Sequence, residues 1–170
     1  MNALFYLSAA VAIIATLLTI TRAYAVHALL YLIVSLFAVA LVFYSLGAPF
    51  VAALEVIIYA GAIMVLFVFV IMMLNLSPEA SRMEQAWLTP RMWTGPAILA
   101  ALLLAELIYV LLGGGQPLTA GMTVEPKQVG IALFGPYLLG VELASMLLLA
   151  GLVGAYHLGR RPGEGTVGGS

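Results

Sequence analysis

The stretch Leu54–Leu74, LEVIIYAGAIMVLFVFVIMML, decides how this chain folds. It is apolar almost throughout and long enough to span a bilayer, where a backbone must satisfy its own hydrogen bonds and is therefore helical. Yet Glu55 stands near its start, Tyr59 follows one turn later, and Gly61 sits between two alanines. An acid, a phenol and a weak point in the backbone inside one spanning segment need a physical reason.

The residues around this stretch set its context. The chain is 65% hydrophobic and 8% charged, with a mean hydropathy of +1.19. The apolar residues come in long blocks without the period-two alternation of membrane strands. The expected fold is an all-α membrane protein with five transmembrane helices. The blocks run over 2–20, 25–46, 51–76, 92–112 and 129–158, making one membrane domain over 1–158. Val51–Leu76 reaches roughly 39 Å at about 1.5 Å per residue, against a hydrocarbon core of about 30 Å. It must tilt, overhang or contain a local distortion. Gly47-Ala48-Pro49 reads as a tight turn before it. Ser77-Pro78-Glu79 starts a surface amphipathic segment over 77–89. Gly135-Pro136 should kink the last block. The glycine-rich tail over 159–170 reads as disordered.

Placing the C-terminus in the cytoplasm puts Arg22, Arg82, Arg91, Arg160 and Arg161 inside and only Lys127 outside. The positive-inside rule therefore predicts a periplasmic N-terminus. The N-terminus has no basic region of the kind that precedes a cleaved signal, so the first block is expected to be retained. With no cysteine, the chain has no disulfide, thiolate zinc site or cysteine-ligated iron–sulfur cluster of its own. No basic patch suggests nucleic acid. Gly113-Gly114-Gly115 lacks the preceding strand and following lysine of a phosphate loop. His27 and His157 have no carboxylate at ligand spacing and read as interfacial anchors, so no metal is expected.

Three glutamates fall inside the spans: Glu55, Glu106 and Glu142. An ionised carboxylate there costs at least roughly 2.5–3.5 kcal/mol, so each needs a partner, a water or a proton. Glu55 and Tyr59, four apart, share a helix face. They read either as members of a proton relay, or as an acid met by a neighbouring subunit beside a packing tyrosine. Gly61 allows either close helix packing or an extra residue in the turn, a π-bulge. Glu142 has Ser145 three residues on and is either a relay member or an inter-subunit hydrogen bond. Glu106 has only apolar neighbours on its face, apart from Tyr109, and is expected to reach the interface or a partner.

The run Glu55–Val70 resembles the third helix of subunit J of bacterial NADH–quinone oxidoreductase, respiratory complex I, the counterpart of the mitochondrially encoded chain six. Val26–Leu32, Gly95–Leu99, Leu133–Tyr137 and Glu142–Gly151 share the resemblance. It implies a membrane-arm subunit in the bacterial inner (plasma) membrane with no redox cofactor of its own. FMN, the iron–sulfur clusters, NADH and quinone would belong to other subunits, and the implied partners are subunits A, H, K and N. It further implies that the third helix switches between α-helix and π-bulge. Glu55, Tyr59, Gly61 and Val65 would open or close a water chain, and Leu66 and Phe67 would move with them. The family pattern has an apolar residue at the position of Glu106. The alternatives are a purely structural adaptor, whose acids serve assembly, and a stand-alone channel.

Overall fold

The computed structural model describes residues 3–22, 25–74, 90–112 and 123–159. Every regular element among them is a helix. The order is α1 (Ala3–Thr21), α2 (Ala25–Ser45), α3 (Pro49–Leu54), a π-helical segment (Glu55–Ile63), α4 (Met64–Leu74), α5 (Pro90–Leu111), α6 (Pro126–Phe134) and α7 (Leu138–Gly159). Five stretches are long and apolar enough to cross a membrane: Ala3–Thr21, Ala25–Ser45, Pro49–Met73, Trp93–Leu111 and Leu138–Gly159. The expected surface segment at 77–89, and all of the expected tail but Gly159, lie outside the described residues.

Two boundaries differ from the sequence expectation. The third span begins at Pro49, not Val51. A proline at the first helical position gives up no hydrogen bond, because that amide has no intrahelical partner anyway. The turn before it closes as a Schellman motif: Gly47 N–H reaches Tyr44 O at 3.0 Å and Ala48 N–H reaches Phe43 O at 3.1 Å. Gly47 has φ 81°, which glycine adopts without steric cost. The last apolar block starts its helix at Pro126, not Val129, and is broken rather than kinked, so that the stretch long and apolar enough to cross is Leu138–Gly159 alone. Pro136 has no N–H to offer Ala132 O, and Tyr137 N–H takes that carbonyl instead at 3.1 Å. A Cβ on Gly135 would lie 2.7 Å from Ile131 O, so the break also requires glycine there.

Contacts gather the chain into two units, Met1–Glu125 and Pro126–Ser170. In the first, α1 and α2 form the closest pair. Val11, Ala15, Val34, Ala38 and Leu103 of α5 make the core, with Ala12, Leu41 and Leu99 against it. Lipid is as apolar as leucine, so small residues that admit close approach, and hydrogen bonds between helices, do much of the joining. Ser8, Ala15 and Ala38 are fully buried. The Thr16 and Ser35 hydroxyls lie 2.7 Å apart, and Ser35 also donates to Ala12 O at 3.3 Å. A Thr16→Val, Ser35→Ala double-mutant cycle of unfolding in micelles should give a coupling of about 0.6 kcal/mol, the average for such intramembrane pairs; zero coupling would show that these hydroxyls do not join the helices.

A second contact holds α2 to α5. Tyr31 is buried at 3% exposure, and its hydroxyl fills the place where a side chain on Gly95 would stand. The Arg22 guanidinium lies 5.5 Å above the Tyr31 ring, and the His27 ring lies 5.8 Å from it. His27 is thus buried beside Tyr31. Beyond this contact, a cleft of about 540 Å³ is lined by apolar side chains of α2 and α5 and by Val56. Its walls offer no side chain that could orient or react with a polar substrate.

Candidate functional site

Of the ways in which the third span could take up its length, a local distortion is present, and it begins at Glu55. Glu55 N–H is shared between Ala52 O, three residues back, and Val51 O, four back as in an α-helix. Met64 N–H is shared between Gly61 O, three residues back, and Tyr59 O, five back. Between them the backbone winds as a π-helix over Glu55–Ile63. Such segments are rare, short and frequent at functional sites. Gly61 lies inside this one. A Cβ there would stand 3.2 Å from Val56 O, the carbonyl five residues back. The absence of a side chain therefore eases the wider register at the position where the two registers compete.

Glu55 is partly exposed and Tyr59 is 50% exposed. Among the described residues neither side chain has a hydrogen-bond partner. Both lie on the outside of this unit, where a carboxyl in a membrane needs something beyond the unit: water, or a polar group packed against it. Val65, Leu66 and Phe67 follow in α4, at 52%, 64% and 49% exposure. Met64, at 2%, pins the junction of the π-segment and α4 into the unit. Removing one residue's worth of winding from the π-segment would turn the helix beyond it by roughly 100°, the angle of one α-helical residue. The structure thus places Glu55, Tyr59, Gly61, Val65, Leu66 and Phe67 on one continuous helix that holds two hydrogen-bond registers.

Glu142 belongs to the second unit, in α7, and is exposed. Ser145 Oγ donates to the backbone carbonyl of Glu142 at 2.7 Å, not to its carboxyl. Glu106 corrects the sequence expectation: it does not reach outward. It is 6% exposed, inside the first unit, and Ser8 Oγ donates to its Oε2 at 2.9 Å. Leu103 and Val110, one turn to either side, are also buried, so Glu106 lies on the inward stripe of α5. Ser8 is 98 positions away on α1, and no spacing in the sequence marks that pairing.

Residues 15–158 match the family described as NADH-ubiquinone/plastoquinone oxidoreductase chain 6. The chain belongs to that family. Its relatives include NADH-quinone oxidoreductase subunit J of Pseudomonas aeruginosa, 61% identical over 160 residues, covering 92% of this chain and 95% of the relative. Subunit J of Escherichia coli strain K12 is 56% identical over 163 residues, covering 96% and 89%. That of Buchnera aphidicola subsp. Acyrthosiphon pisum is 48% identical over 159 residues, covering 94% of each. As a chain 6 family member, this multi-pass membrane protein is a subunit of an NADH–quinone oxidoreductase.

Proposed function

We propose that this chain is a membrane-arm subunit of a proton-pumping NADH–quinone oxidoreductase of the bacterial inner membrane, and that its third span gates a proton path. The change of register between Glu55 and Met64 carries the reading. A helix with a π-segment holds its backbone in one of two discrete arrangements, and two-state elements are what couple distant sites. In the π register, Glu55 and Tyr59 present an acid and a phenol along one face, able to hold a short chain of water. In the α register, Val65, Leu66 and Phe67 turn relative to that pair and put apolar surface in the path. Water enters or leaves accordingly, and with it the conduction of protons. Quinone reduction elsewhere in the complex biases which register is populated.

The N-terminus faces the periplasm, and Glu55 lies near that side. The neighbours are subunits A, H, K and N, with the unpartnered face of Glu55 and Tyr59 turned toward one of them. Glu142 is a further member of the path or an inter-subunit hydrogen bond in α7. FMN, iron–sulfur clusters, NADH and quinone act in other subunits.

Glu55→Gln tests the reading, because the amide keeps the shape and removes the exchangeable acid. The complex should assemble and oxidise NADH, with the protons moved per NADH in membrane vesicles falling several-fold. An unchanged proton yield would refute the gating role. Loss of assembly with both Glu55→Gln and the conservative Tyr59→Phe would favour the adaptor reading.

A further inference from the structure

The gating reading makes no use of Glu106. This carboxyl lies in the interior of the first unit at 6% exposure. One oxygen, Oε2, accepts a hydrogen bond of 2.9 Å from Ser8 Oγ, itself fully buried. The other, Oε1, is buried and meets no hydrogen-bond partner. A carboxylate has two oxygens that accept only, and a buried one is stable when several donors or a cation surround it. Among the described residues a single neutral hydroxyl serves the whole group.

Among the described residues of this unit no countercharge is at hand. The described helices of this unit with the main contacts to α5 are α1 and α2; the π-helical segment reaches the same cleft through Val56, and its own ionisable groups, Glu55 and Tyr59, are an acid and a phenol. The ionisable side chains of α1 and α2, with Arg22 just after α1, are Tyr6, Arg22, His27, Tyr31 and Tyr44. Arg22 and His27 gather around Tyr31 at Gly95. That is eleven positions before Glu106 on α5, about 16 Å along the axis. Tyr6 and Tyr44 are phenols, which carry no positive charge in either protonation state. On α5 itself, Arg91 stands in the first turn, still further away, and Tyr109 is a phenol at 56% exposure.

We propose that Glu106 is a proton-binding site in the core of this subunit, present in the assembled complex as the neutral carboxylic acid and oriented by Ser8. Oε2 is then the carbonyl oxygen, accepting from Ser8, and Oε1 carries the proton. The site is separate from the acid of the third span and joins α5 to α1. It does not depend on the gating reading: a complex whose third span never rewinds would hold the same proton.

The test is infrared difference spectroscopy on the purified complex. Wild type minus Glu106→Gln should show the loss of one band in the carbonyl-stretching region of protonated carboxyls. Ser8→Ala should move that same band to higher frequency, because a carbonyl oxygen released from a hydrogen bond vibrates faster. If Glu106→Gln instead removes carboxylate stretches and leaves the acid region flat, Glu106 is ionised and the proposal is wrong. If Glu106→Gln does not assemble, Ser8→Ala alone decides. A shifted acid band upholds the proposal, and an unchanged acid region overturns it.

Discussion

Gly61→Ala should shift the third span toward the α register and lower the proton yield of the complex while leaving NADH oxidation near normal. Two effects act in the same direction. The added Cβ would stand 3.2 Å from Val56 O in the π register, tighter than an ordinary van der Waals contact, so the wide turn must give. Alanine also stabilises a helix interior by about 0.5–1 kcal/mol relative to glycine. Together they are worth about 1 kcal/mol, or roughly five-fold in the ratio of the two registers. Gly61→Leu adds a branched side chain at the same point and should abolish the π-segment. The measurement is protons moved per NADH in inverted membrane vesicles, with NADH oxidation as the control. The graded series glycine, alanine, leucine should give a graded fall. A flat series would show that the wider register has no part in pumping.

Gly95→Ala should destabilise the first unit by about 1–3 kcal/mol, the usual cost of forcing extra volume into a packed interior. Its Cβ would occupy the place of the Tyr31 hydroxyl. A free tyrosine could swing aside at little cost. This one is 3% exposed, beneath the Arg22 guanidinium and beside the His27 ring. Because the nearest atom is the hydroxyl, Tyr31→Phe in the same chain should recover most of the loss. The two changes are in contact and should therefore be strongly non-additive. The measurement is the dissociation temperature of the solubilised complex across the four variants. Additive losses would mean that Tyr31 and Gly95 do not determine how α2 meets α5.

How much of this was legible in the sequence follows from what each residue needs. The five spans follow from apolar length alone, because lipid leaves the backbone no alternative to a helix. Their ends were less legible. Pro49 looks like part of a turn until its place at the first helical position shows that it costs no hydrogen bond. The break at Gly135-Pro136 was visible as a kink. That it separates two helices depends on Tyr137 taking the carbonyl that Pro136 cannot use.

The third span was half legible. Its excess length left tilt, overhang and distortion open, and Gly61 marked a soft point. Composition left that glycine open between close packing and a wider turn, and the hydrogen-bond register decides for the wider turn. Glu106 was not legible. Its own helix shows only apolar neighbours, and Ser8, the residue that receives it, lies on α1. A pairing across 98 positions leaves no periodic trace on either helix.

The central claim is that the third span changes register during turnover, and the complex imaged at rest and while oxidising NADH tests it most directly. The quantity to read is the acceptor of each backbone N–H from Glu55 to Leu66. We expect the N–H groups that close this segment, Met64 among them, to bond the carbonyl five residues back in one state, and the carbonyl four residues back in the other. Ordered water should lie beside Glu55 and Tyr59 in only one of the two. The same register in every state, with the same water, would contradict the account.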